Sequence, residues 1–131
     1  MFVDASALIA ILAGEPDAAA LVARLQQARQ RLTSPIAVGE TTLALARILD
    51  LPLSDARQAV RDYLALAAIQ VVAVSPKAAD LATEAFERFG EGNHPARLTL
   101  ADCLAYAGAR TYRMPLLFKG EGFALTDIDV T

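Results

Sequence analysis

Apolar positions recur along this chain at two spacings, and the switch from one to the other predicts its elements. Phe2-Val3 begins a short buried strand over 1–4, and the apolar run from Ser6 to about Ala13 reads as a helix that stops near Gly14. Glu15-Pro16-Asp17 then starts a second helix, with an early proline and acids in the first turn, extending to about Arg29. Arg31 to Ser34 is a brief extended piece. Ser34-Pro35 supplies the N-cap and first turn of a helix whose Val38, Thr42, Leu45 and Ile48 recur at helical spacing, ending near Asp50. Ser54 is expected to cap a further helix to about Ala67, and the β-branched run Ile69 to Val74 to form a strand. Ser75-Pro76 opens a helix to about Phe89, the Gly/Pro-rich stretch 90–95 breaks the pattern, and Thr99 caps a helix that carries Asp102. Met114 to Phe118 reads as the last core strand, followed by the loop Lys119-Gly120-Glu121-Gly122.

Strands alternating with helices predict an α/β fold, a three-layer α/β/α sandwich around a mainly parallel central sheet. At 131 residues, with no internal repeat and no linker, the expectation is a single domain over 1–131. Sites in such sheets form beyond the carboxyl ends of the strands. Asp4 ends the first strand and Glu121 follows the last.

Composition narrows the possibilities. The hydrophobic fraction of 55% is high, which suits a well-filled core and an apolar oligomer face besides. No apolar run is long enough to span a bilayer, the start lacks a basic n-region, and Asp4 interrupts any signal-like segment, so a cytoplasmic protein is expected. The lone Cys103 excludes an internal disulfide and makes a zinc site unattractive; it reads as a small core residue. A net charge of −3 argues weakly against nucleic acid, yet neutralising four acids with metal would bring acids and bases to within one charge of balance. Ten of the twelve bases are arginine, the side chain best shaped to grip phosphate, so charge decides nothing either way.

The candidate chemistry lies in acids set among apolar residues. Asp4 follows Met1-Phe2-Val3, Glu40 sits inside Ile36 to Leu43, and Asp102 inside Leu98 to Ala105. A carboxylate in such a place loses hydration worth several kcal/mol unless a cation replaces it. Gathered together, carboxylates raise one another's pKa unless a divalent ion offsets the charge. Mg²⁺ or Mn²⁺ suits an oxygen-only donor set and favours phosphoryl transfer, which requires no histidine. Each acid also has a structural reading: Asp4 as a helix cap shared with Ser6, Glu40 as a helix-start acid, Asp102 as the fourth residue of a capping box begun by Thr99, and Glu121 as a surface loop acid.

Several segments together resemble one family. Phe2-Val3-Asp4-Ala5-Ser6-Ala7-Leu8, Glu40 with the small and apolar residues after it, Leu98-Thr99-Leu100-Ala101-Asp102-Cys103-Leu104-Ala105-Tyr106-Ala107, and Pro115-Leu116-Leu117-Phe118-Lys119-Gly120 are similar, in order, to the PIN domain of VapC-type ribonuclease toxins. The resemblance implies an endoribonuclease of a type II toxin–antitoxin pair, dependent on Mg²⁺ or Mn²⁺, commonly a homodimer and inhibited by a cognate VapB-like antitoxin. By the same resemblance Asp4 and Asp102 would be the metal ligands, with Glu40 and Glu121 completing the catalytic acids. Ser6, Arg97 and Lys119 are then expected to contact substrate RNA, and Asp127 in Thr126-Asp127-Ile128 to be structural. Relatives commonly carry a further acid where this chain has Gly122, which puts a second metal in question.

Two other functions compete. A phosphatase of the haloacid dehalogenase kind also starts from a strand-end Asp but wants an acid two residues on, where Ser6 stands. A PIN-like module of weak catalytic power could act by binding RNA or a partner. For partner binding, Leu21, Leu25 and the Ala/Leu-rich segment 59–68 could line a groove for a helix, although the same stripe serves equally as core.

Overall fold

A computed structural model describes residues 1–130. Four two-residue strands, β1 (Phe2–Val3), β2 (Leu32–Thr33), β3 (Gln70–Val71) and β4 (Leu116–Leu117), form one sheet in the order β3-β2-β1-β4. Every pairing is parallel, with Phe2 opposite both Leu32 and Leu116, and Leu32 opposite Gln70. Six helices connect them: α1 (Ala5–Leu12), α2 (Ala18–Gln26), α3 (Pro35–Ile48), α4 (Leu53–Leu66), α5 (Ala78–Phe89) and α6 (Leu100–Tyr112). A short 3₁₀ turn, Phe123–Leu125, follows β4.

The period-two alternation of the strands divides the core into two layers. Phe2, Leu32 and Leu116 face α5 and α6, with Ala82, Phe89, Cys103 and Tyr106. Val3 and Leu117 face the other way, into Leu8, Leu21, Leu25, Leu45, Val60 and Leu64 from α1 to α4. This is the three-layer α/β/α sandwich expected from the sequence.

Local signals explain where the elements start. Ser34 accepts a hydrogen bond from the Ala37 amide at 3.1 Å with Pro35 in the first helical position, as its sequence predicts. Thr99 and Asp102 close a complete capping box on α6. Other expectations shift. The helix after Pro52 starts at Leu53, so Ser54 lies inside its first turn and caps nothing. Ser75-Pro76 form a turn before α5, which starts at Ala78 with no side-chain cap. Within Ile69 to Val74 only Gln70–Val71 is strand, because both residues are exposed on the sheet edge and little packing prolongs the pairing. Leu21, Leu25, Val60 and Leu64 are buried, so the stripe offered as a partner groove is core.

Candidate functional site

The carboxyl end of the sheet gathers the acids. Asp4 leaves β1 with its amide bonded to Leu117 O at 2.9 Å and at once becomes the N-cap of α1. Only 5% of it is exposed. Ser6 donates its amide (3.0 Å) and its hydroxyl (2.5 Å) to the same oxygen, Asp4 Oδ2. The Ser6 hydroxyl in turn accepts the Lys119 amide at 3.0 Å, which ties the loop after β4 to the start of α1. The capping reading of Asp4 is therefore real, and it occupies one carboxylate oxygen.

Asp102 is arranged in the same way. Its Oδ2 accepts the Thr99 amide at 2.9 Å, while its own amide reaches Thr99 Oγ1 at 3.2 Å. It sits half-buried in the first turn of α6, where the helix macrodipole favours a negative charge. Glu40 stands in the second turn of α3 with much of its side chain exposed.

The charge of Asp102 is felt at Asp4, and the charges of both are felt at Glu40. Burial pushes the Asp4 pKa up, the Ser6 bonds pull against it, and the charge of Asp102 raises it further. Glu40 is also raised, by desolvation first and then by Asp4 and Asp102. Among the described residues no three Asp, Glu, His or Cys side chains are gathered closely enough to hold a metal ion by themselves. The donor set nevertheless fits Mg²⁺ or Mn²⁺, which bind through one or two carboxylates with retained water, and a buried, proton-hungry Asp4 is the group that a divalent ion would relieve.

The other predicted residues spread around this trio. Glu121 is exposed in the loop after β4 and is not among the carboxylates that raise Asp4 or Glu40. Gly122 packs its backbone onto Ala96: a Cβ there would lie 2.9 Å from Ala96 O, which accounts for the missing acid at that position. Arg97 is exposed, in a left-handed conformation with φ +53°. The Lys119 ammonium is paired with Glu15 and stands 3.6 Å from Asp17. Sequence reasoning missed that pair, taking Glu15 and Asp17 only as helix-start acids; nothing local links them to a lysine so far along the chain.

Asp127 lies elsewhere and is structural in its contacts. Tyr106 donates to it at 2.6 Å, and Arg88 and Arg110 reach it at 3.0 and 2.9 Å. Against partial desolvation, these bonds hold its pKa down to about 2. Cys103 is fully buried in the core, its thiol pushed up to about 11 by burial and by Asp102, so it is inert. A cleft of about 590 Å³ between α2 and the tail is lined by Met1, Arg24, Arg29 and Val130 and contains none of the carboxylates.

Comparison with known proteins shows the family of the chain. A family model described as "PIN domain" matches residues 1–129. The chain is 38% identical to a protein named Ribonuclease VapC from Mycolicibacterium smegmatis, over 98% of this chain and 97% of that one. It is 40% identical to Ribonuclease VapC28 of Mycobacterium tuberculosis, over 98% and 95% respectively. Among solved structures it is similar to M. tuberculosis VapC20, described as a sarcin–ricin loop cleaving toxin, with a TM-score of 0.71 at 20% identity, covering 99% of this chain and 97% of that one. A toxin–antitoxin complex from Klebsiella pneumoniae gives the same TM-score and identity, covering 99% and 95%.

Proposed function

Since the chain belongs to the PIN-domain family, we propose that it is the ribonuclease of a type II toxin–antitoxin pair, hydrolysing RNA phosphodiester bonds at the carboxylates that close the sheet. The observation that supports this reading is that Asp4, buried at the end of β1, and Asp102, in the first turn of α6, come close enough for Asp102 to raise the Asp4 pKa, with Glu40 of α3 raised by both. PIN-domain ribonucleases go with divalent metal, and Asp4 and Asp102 are the residues that would hold Mg²⁺ or Mn²⁺ here. When bound, such an ion supplies Lewis acidity and a water of lowered pKa.

The chain's own groups do the rest. Ser6 orients Asp4 by two bonds to one oxygen, which leaves the other free to meet a metal. Glu40, raised in proton affinity and open to solvent, is placed to take the proton of the attacking water. Glu121 lies on the rim, and Arg97 supplies positive charge for flanking phosphates, whereas the Lys119 ammonium is engaged by Glu15 and Asp17. The partner is a VapB-like antitoxin, and the protein works as a homodimer. No helix among the described residues is long and apolar enough to cross a membrane, and a cytoplasmic location follows from an RNA target.

Incubating purified protein with single-stranded and hairpin RNA, with Mn²⁺ and then with EDTA, tests the reading. Cleavage that EDTA and Asp4→Asn both remove is expected. RNA or antitoxin binding without cleavage at any Mn²⁺ concentration would replace it with the binding-module reading.

A further inference from the structure

Asp17 stands at the N-cap of α2, where an Asp side chain normally accepts an amide of the first turn and stabilises the helix by about 1 kcal/mol. It makes no such bond. Its Oδ1 is shut off from solvent without a hydrogen bond, the one such buried side-chain atom among the described residues, and its charged neighbour is the Lys119 ammonium at 3.6 Å. Glu15 takes the same ammonium more closely. Glu15 is itself set in place by the end of α1, where Gly14 turns left-handed (φ +69°) and the Glu15 amide returns to Ala10 O at 2.9 Å.

Two acids from the α1–α2 turn therefore hold a lysine whose own backbone amide grips Ser6, and Ser6 grips Asp4. The forgone cap on α2 is explained if the carboxylate has another task. We propose that Glu15 and Asp17 are positioning residues of the acidic site: through Lys119 they clamp the loop after β4 against Ser6, and so set the oxygen that Asp4 offers to a metal. This rests on Asp4 as a metal ligand. Lys119 is then a strut whose charge is spent within the protein.

The test is Mn²⁺ affinity, read by calorimetry on the full chain and followed by cleavage kinetics. Glu15→Gln/Asp17→Asn and Lys119→Met are each expected to weaken Mn²⁺ binding about two- to fivefold, the range that a partly exposed ion pair commands. All three changes together should weaken it no further, and Lys119→Arg should keep the wild-type affinity. Asp127→Asn serves as control, lowering stability with Mn²⁺ affinity unchanged. Unaltered affinity in Glu15→Gln/Asp17→Asn overturns the proposal. So does the opposite kinetic pattern, in which Lys119→Met raises KM for RNA and Glu15→Gln/Asp17→Asn lowers it, because the acids would then compete with phosphate for the lysine. If wild-type protein cuts no RNA, the ribonuclease reading fails while the Mn²⁺ measurements still decide this one.

Discussion

Gly108 of α6 passes so close to the Phe2 ring of β1 that a Cβ on it would lie 2.4 Å from Phe2 Cζ. That approach draws α6 down onto the sheet. Asp102, at the start of the same helix, is thereby delivered to the charge of Asp4, at the end of the same strand.

Gly108→Ala should accordingly cost more than its gain in helix propensity. An added methyl in a filled core typically costs 1–3 kcal/mol, here about 2 kcal/mol, readable as a lowered urea midpoint. Cleavage should fall as well, since the helix cannot ride outward without moving Asp102.

Asp4→Asn is expected to abolish cleavage while leaving the fold intact, because an amide oxygen still accepts both bonds from Ser6. The metal-free variant should melt higher than the wild type, having lost a desolvated charge and its repulsion from Asp102. A thermal melt and a cleavage assay on one preparation check both halves.

The pH dependence follows from two raised carboxyl groups. Asp4 and Glu40 hold protons more tightly folded than unfolded, where their values are 3.8 and 4.5. Their contribution to stability is full below about pH 4 and is lost as pH rises through the raised folded values. Metal-free protein should therefore lose melting temperature across that rise, while saturating Mn²⁺ should widen its advantage with pH. A Tm series with and without Mn²⁺ that runs parallel at every pH would contradict this.

The four acids should separate on mutation. Asp102→Asn keeps an acceptor for the Thr99 amide, so the helix start survives while metal binding and cleavage are lost. Glu40→Gln should cut kcat on the order of 10²-fold, the scale of a lost proton acceptor. Glu121→Gln, outside the group that raises Asp4 and Glu40, should leave kcat within about threefold, well below that scale.

Asp127 should matter to the acid limb of stability rather than to chemistry. Its low folded value supplies stability that is present above 3.8 and lost as pH falls towards about 2. Discounted for its exposure, Asp127→Asn should cost about 1 kcal/mol at neutral pH, with the deficit closing in acid. Urea titrations at pH 7 and pH 3 measure the difference.

Much of this was legible in the residues themselves. Ser34-Pro35 and Thr99 with Asp102 mark helix starts because a cap is a local event, decided within four residues. Ser54 and Ser75 look the same in sequence and cap nothing, since the helices beside them begin at Leu53 and Ala78. The acids Asp4, Glu40 and Asp102 stood out by their apolar surroundings; in the fold Asp102 raises Asp4 and both raise Glu40, while Glu40 itself is exposed. The Lys119 contacts with Glu15 and Asp17 were illegible, because a pairing across nearly the whole chain leaves no local trace.

The parallel order β3-β2-β1-β4 places the first strand in the middle of the sheet and leaves one flank of it empty until the last strand is made. A chain still emerging from the ribosome thus has Asp4 exposed beside a missing neighbour, with α6 and its Asp102 not yet docked. Asp4 and Asp102 therefore meet only once nearly the whole chain is available to fold.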